Sequence, residues 1–313
     1  MTHICAGACC RRAIARRRLL ASLGALGLAI GARPAAADFV VPDIGSLFQG
    51  AASVFKGMSL NEEDEIEIGT GLYPRLIARS GGPYRNRGLQ SSVERFAQPL
   101  IDQTKRRHLP WEIVVLDDNT VNAWALPGGK MAVNRGLLRY TASEEELAAV
   151  LSHEIGHVER SHALNQMRRE EFNKGLTEVG KQAIASQAGA GAGSFVTGQV
   201  LDALEGPLGD MMAAGYSREL EDEADQHIFE VFGNVGYDPG LASSFFHTLV
   251  ALIPNNAKGT TSLYSTHKGT EERIAAIEKM AKGLPKPAPR QPSPAFAEVK
   301  RVLPTPQFYR GPA

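Results

Sequence analysis

The sequence predicts an α+β fold, mainly helical with a small three-stranded sheet, and three observations carry that expectation. Most of the chain repeats its apolar residues at helical spacing between capping signals and glycine stops. One block, 111–133, switches to strand-like runs around the tight turn Pro127-Gly128-Gly129. No internal repeat is present, and the 30 residues after Gly283 are too few for even one helical-repeat unit.

With 313 residues, zero formal charge, 43% hydrophobic and 22% charged residues, the composition is globular and argues against a dedicated nucleic-acid binder. The neutrality hides an asymmetry. Residues 1–37 carry Arg11, Arg12, Arg16, Arg17, Arg18 and Arg33 and no acid, and without them 28 basic residues face 34 acidic ones, a net of −6.

Taken in order, residues 1–37 read as a cleaved secretory signal: a basic start, an apolar run Leu19 to Ile30, and Ala35-Ala36-Ala37 before Asp38. An uncleaved anchor is the alternative, although the run is short for a bilayer. Arg16-Arg17-Arg18-Leu19-Leu20 is a weak match to a twin-arginine signal. Cys5, Cys9 and Cys10 all fall in this stretch, so the remaining chain has neither a disulfide nor a thiolate to use. No other stretch reaches the roughly 18 apolar residues of a membrane span.

Residues 38–59 show no clean period and form a leading segment. Acids at Glu62, Glu63, Asp64 and Glu65 favour a helix start that runs to about Ala78, before Ser80-Gly81-Gly82-Pro83. Leu89, Val93, Phe96 and Leu100 share one face of a second helix ending near Lys105. Trp111 to Leu116, Asn122 to Leu126 and Lys130 to Val133 are the three strands. Ser143 and Glu146 have capping-box spacing and open a strong helix expected through about Arg169. Glycine- and alanine-rich residues 172–215 predict a mobile insert with short helices. Helices return at Ser217 to Phe232, Gly240 to Ile253 and Thr270 to Lys282, and residues 284–313, with eight prolines, predict an extended or disordered tail.

Chemistry concentrates in His153-Glu154-Ile155-Gly156-His157. Four residues on a 3.6-residue turn put both imidazoles on one face, able to share one zinc ion, while Glu154, rotated by about 100°, can serve as a general base. A bare motif arises by chance often enough that a third ligand is required. His162 lies nine residues beyond His153, about half a turn round a continuous helix, and is expected to face away. In Ser217 to Asp225, Glu221 and Asp225 lie one turn apart, so Glu221 could reach the metal while Asp225 orients a ligand histidine. Spacing alone does not choose between Glu219 and Glu221; Glu219, Asp222 and Glu223 otherwise read as a solvated acidic face.

Three ordered motifs, Asn122 to Gly129, Glu146 to His157 and Ser217 to Asp225, together resemble the HtpX-like and CAAX-endopeptidase-like family of zinc metalloproteases, in its secreted bacterial branch. The resemblance covers residues 60–283 and implies a zincin-like metallopeptidase domain over that range, with one Zn2+ per chain. It implies His153, His157 and Glu221 as ligands, Glu154 as catalytic base and Asp225 as the residue that orients a ligand histidine. Ser265-Thr266-His267 with Arg273 matches a fourth family element, except that Lys268 replaces the usual proline; His267 would then stabilise the oxyanion, cap the zinc, or only precede the last helix. The mechanism implied is hydrolysis of a peptide bond, with Glu154 taking a proton from the attacking water and returning it to the leaving amine.

An exposed edge strand at Asn122, Ala123, Trp124 and Ala125 could bind an extended peptide through its backbone, a mode that favours unfolded substrates. The expected function is therefore a periplasmic zinc endopeptidase acting on unfolded or misassembled envelope polypeptides, with peripheral membrane association left open. Two alternatives remain in view: an envelope chaperone or assembly factor with a latent or structural zinc site, and a multi-span membrane peptidase, which the lack of apolar spans disfavours.

Overall fold

Helix α1 (Glu62–Arg79) starts at a reciprocal capping box in which Asn61 accepts from the Asp64 amide and Asp64 from the Asn61 amide. The computed structural model describes residues 60–167, 198–256, 267 and 270–306. The expected signal (1–37), the leading segment (38–59) and much of the glycine-rich insert lie outside the described residues. Helix α2 (Arg87–Ile101), capped by Asn86, buries Leu89, Val93, Phe96 and Leu100, the face that the spacing predicted. It ends four residues earlier than expected.

Strands β1 (Glu112–Leu116), β2 (Ala123–Leu126) and β3 (Lys130–Asn134) form one sheet in the order β1-β3-β2, with β1 parallel and β2 antiparallel to β3. β2 is therefore an edge strand. The turn Pro127-Gly128-Gly129 is pressed onto α1: Gly128 has φ 71°, its amide donates to Glu65, and a Cβ there would lie 2.7 Å from the Ile66 Cα. Only glycine combines that backbone with that approach.

A short helix, α3 (Arg135–Tyr140), precedes α4 (Glu144–Glu159). The Ser143 hydroxyl caps α4 at the Glu146 amide, and the Glu146 carboxylate accepts from the Ala142 amide at 2.6 Å, one residue ahead of the reciprocal partner that the spacing suggests. The strong helix does not continue through Arg169. It breaks at Ser161, the one described non-glycine residue with positive φ (51°), and α5 (His162–Met167) begins in a new direction. Arg106 sustains the break by donating to the Val158 carbonyl (2.8 Å) and the Ser161 hydroxyl (2.7 Å), supplying partners that a helix end lacks.

The described part of the insert holds a 17-residue helix, α6 (Gly198–Ala214), rather than short pieces. Its Val200, Leu204 and Leu208 pack on Ile68, Leu72 and Leu76 of α1 in a small second core, which repays the glycine content. Helix α7 (Arg218–Val235) ends at left-handed Gly236, and is followed by α8 (Ser244–Asn256) and α9 (Thr270–Ala281). In α4, Gly156 lets α7 cross closely: a Cβ there would sit 2.9 Å from the His227 Cβ and 3.1 Å from the Ala224 Cα. The main core gathers β1, β3, α2, α4, α7 and α8. No helix among the described residues is long and apolar enough to cross a membrane.

The tail contradicts the expectation of disorder, because it contains α10 (Pro294–Val302). Ser293 caps it and Pro294 takes the first-turn position that suits proline; Phe296 packs on Phe96, with ring centroids 6.1 Å apart. Lys300 donates to the carbonyls of Leu138, Arg139 and Thr141 at the end of α3. Counting prolines hid a helix start.

Candidate metal centre

The Nε2 atoms of His153 and His157, one turn apart on α4, lie 3.0 Å from each other. The crossing at Gly156 brings Glu221 of α7 to them, with Oε2 3.4 Å from His153 Nε2 and Oε1 3.7 Å from His157 Nε2. His267, three residues before α9, contributes Nδ1 at 3.1 Å from His153 Nε2 and 2.9 Å from Glu221 Oε2. One ligand atom from each of these four buried residues lies within 4.8 Å of all the others.

The donor set fits a cation. The Nδ1 atom of His153 faces Asp225 Oδ1 at 2.9 Å, and a carboxylate can only accept, so that nitrogen holds the proton and Nε2 presents a lone pair. With His153 neutral, donor atoms of His153, His157 and Glu221 converge within reach of one another, an arrangement that a single cation can bridge. Two imidazoles and a carboxylate suit zinc among the common divalent ions.

Arg273 on α9 underlies the site. It donates from Nε and Nη2 to both oxygens of Asp225 and lies 3.0 Å from Glu221 Oε2 through Nη1. Burial pushes the Asp225 and Glu221 carboxyls up. Arg273 outweighs it for Asp225, and His267 with His153 outweighs it for Glu221, leaving both below the usual carboxylate range. Burial and Arg273 oppose protonation of His153, yet its bonds to Asp225 and Glu221 prevail and push it up to about 9. Burial and the neighbouring His153 push His157 down.

Glu154 is 2% exposed, and its Oε1 has no hydrogen-bond partner among the described residues, the nearest cation-forming group being His267 Nε2 at 3.4 Å. It lines a cleft of about 200 Å³ together with Asn122, with Ala123, Trp124 and Ala125 of β2, and with Met212 and Tyr216. The structure thus brings Asn122, Ala123, Trp124, Ala125, Glu154 and His267 to one cavity, and His267 joins it to the donor cluster of His153, His157 and Glu221, with Asp225 behind His153.

His162 departs from expectation. The break at Ser161 turns it back, and it is 1% exposed with Nδ1 2.8 Å from His157 Nδ1 and Nε2 3.1 Å from Glu223 Oε2. Glu223, read as merely solvated, is the partner of a buried imidazole. Burial pushes the His162 pKa down. Tyr216 stacks on His157 at 4.2 Å with 20° between planes. Sequence reasoning missed Tyr216 and the part played by Arg273. Only the spacing of Arg273 from His267 offered a signal, and none marked the helix break.

A pair of helical imidazoles with a glutamate between them, joined by a carboxylate from a crossing helix, is the architecture of zincin-type metallopeptidases. The chain belongs to peptidase family M48, which matches residues 83–281, in agreement with the resemblance carried by the three motifs. It is 27% identical over 275 residues to the beta-barrel assembly-enhancing protease of Escherichia coli K12, covering 85% of this chain and 52% of the relative. It is 29% identical over 187 residues to the mitochondrial metalloendopeptidase OMA1 of Schizosaccharomyces pombe, covering 60% and 51%. It is 32% identical over 165 residues to the metalloprotease YcaL of Escherichia coli K12, covering 52% and 59%. The chain spans about half the length of these curated relatives.

Proposed function

We propose that the chain is a zinc-dependent endopeptidase of the bacterial cell envelope that hydrolyses peptide bonds of misfolded or misassembled proteins. One observation carries the reading: the buried Glu154 carboxylate, whose Oε1 has no hydrogen-bond partner among the described residues, lines the cleft beside His267 and the donors of His153, His157 and Glu221. A purely structural metal site has no use for such a base. A bound zinc would supply Lewis acidity, polarising water and the scissile carbonyl. Glu154 takes the proton of the attacking water and passes it to the leaving nitrogen, while Asp225 and Arg273 hold His153 in the tautomer that leaves Nε2 free. His267 lines the same cleft and, when its Nε2 also carries a proton, can meet charge developing on the carbonyl oxygen.

The edge position of β2 among the described strands supports an extended substrate segment bound by backbone pairing, which selects unfolded chain over sequence. The names of the bacterial relatives, and the basic, apolar and small-residue order of residues 1–37, support export to the periplasm with removal of that signal, leaving 60–283 as the metallopeptidase domain. Zinc content and casein cleavage of the purified chain, beside Glu154→Gln, test the reading. A wild type that holds one zinc and cuts, with a variant that holds zinc and does not, is the expected result. A second reading is favoured by His267 standing among the four donors: a capped site in an envelope chaperone or assembly factor. Cleavage that appears in His267→Ala would rule the chaperone out.

A further inference from the structure

We infer that His162 is a positioning residue for His157, accepting its Nδ1 proton so that the Nε2 lone pair is fixed on the metal. The inference rests on the metal-site reading above and follows from counting protons along three groups. Glu223 Oε2, 3.1 Å from His162 Nε2, can only accept when ionised, so His162 carries its proton on Nε2. A neutral His162 then presents a lone pair at Nδ1. His157 Nδ1, 2.8 Å away, must be the donor, which leaves His157 Nε2 bare and directed at His153 Nε2 and Glu221. No other tautomer satisfies both contacts with ionised Glu223 and a neutral imidazole pair.

The two ligand histidines are therefore held differently. His153 donates to Asp225, a buried carboxylate locked by Arg273. His157 donates to a neutral imidazole, backed by a Glu223 side chain that is 50% exposed. Tyr216, stacked 4.2 Å over the His157 ring, sets the plane, while His162 sets the rotation within it. The arrangement depends on the positive φ of Ser161: on a continuous helix, residue 162 would stand about 140° round the axis from His157. Arg106, which holds that break, is thus part of the same support.

Two polar substitutions separate the contacts. The Asn side chain places an acceptor oxygen near the position of imidazole Nδ1, while the Gln side chain reaches the position of Nε2. His162→Asn thus keeps the link to His157 and loses Glu223; His162→Gln does the reverse. The readouts are the zinc dissociation constant by chelator competition, the cobalt(II) visible spectrum, and the melting temperature of the metal-free chain. The expected result is zinc binding close to wild type in His162→Asn and weaker by roughly 10–100-fold in His162→Gln and His162→Leu, with an altered cobalt spectrum in the latter two. Should His162→Leu melt early without metal, the Asn and Gln pair carries the comparison. Equal affinities in wild type, Gln and Leu, or equal losses in Asn and Leu, overturn the role of His162 alone. A wild type that holds no zinc overturns the functional reading as well.

Discussion

Arg273 grips Asp225 with two parallel hydrogen bonds, Nε to Oδ2 at 2.8 Å and Nη2 to Oδ1 at 2.6 Å, and the same Oδ1 faces the His153 Nδ1 at 2.9 Å. The guanidinium is 3% exposed, so removing it strands two buried carboxylates rather than merely deleting a contact. Arg273→Ala is expected to destabilise the metal-free chain by about 3–5 kcal/mol, measured by urea unfolding. Arg273→Lys should recover only part, since an ammonium cannot match both oxygens.

Glu154→Gln is expected to retain zinc and lower kcat by about 10²–10⁴-fold with little change in KM, measured on a casein-derived fluorogenic peptide. Loss of zinc from this variant would instead place Glu154 among the ligands.

Gly156→Ala introduces a methyl group 2.9 Å from the His227 Cβ and 3.1 Å from the Ala224 backbone, forcing α7 away from α4. A cost of about 1–3 kcal/mol is expected in urea unfolding, and zinc affinity should fall with it because Glu221 rides on α7. Unchanged affinity would show that Glu221 follows the metal independently of the helix crossing.

The metal-free chain should lose stability as pH rises. His153, pushed up to about 9 by its carboxylate partners, holds its proton more tightly folded than unfolded, where histidine titrates near 6.5. The stability so gained is complete below pH 6.5 and disappears as pH climbs through 9. A melting temperature that declines across that interval in chelator, and does not decline with saturating zinc, is the expected outcome; deprotonation frees the ligands for metal.

Much of the site was legible because its chemistry is local. His153 and His157 need only helical spacing, and Gly128 and Gly129 only a turn. The assignment of Glu221 over Glu219 needed the resemblance, because phase on α7 depends on which face crosses Gly156. His162 lies off the expected face because the helix it was projected on ends at Glu159 and the chain turns at Ser161, held there by Arg106, 55 residues earlier in sequence. No pattern near position 161 announces a partner so distant. α10 escaped for a related reason: its apolar residues Phe296 and Val299 are too few to show a period, and its stability comes from docking on α2 and α3.

Strand β2 belongs to both cores at once. Ala123 and Ala125 sit in the main core, while Leu126, with Trp124 packed beside it, sits in the smaller one against α1 and α6. Both faces are thereby committed, and the strand cannot slip by one residue without exchanging them. A polypeptide laid along its outer edge inherits that fixed phase, with odd side chains on one side and even on the other.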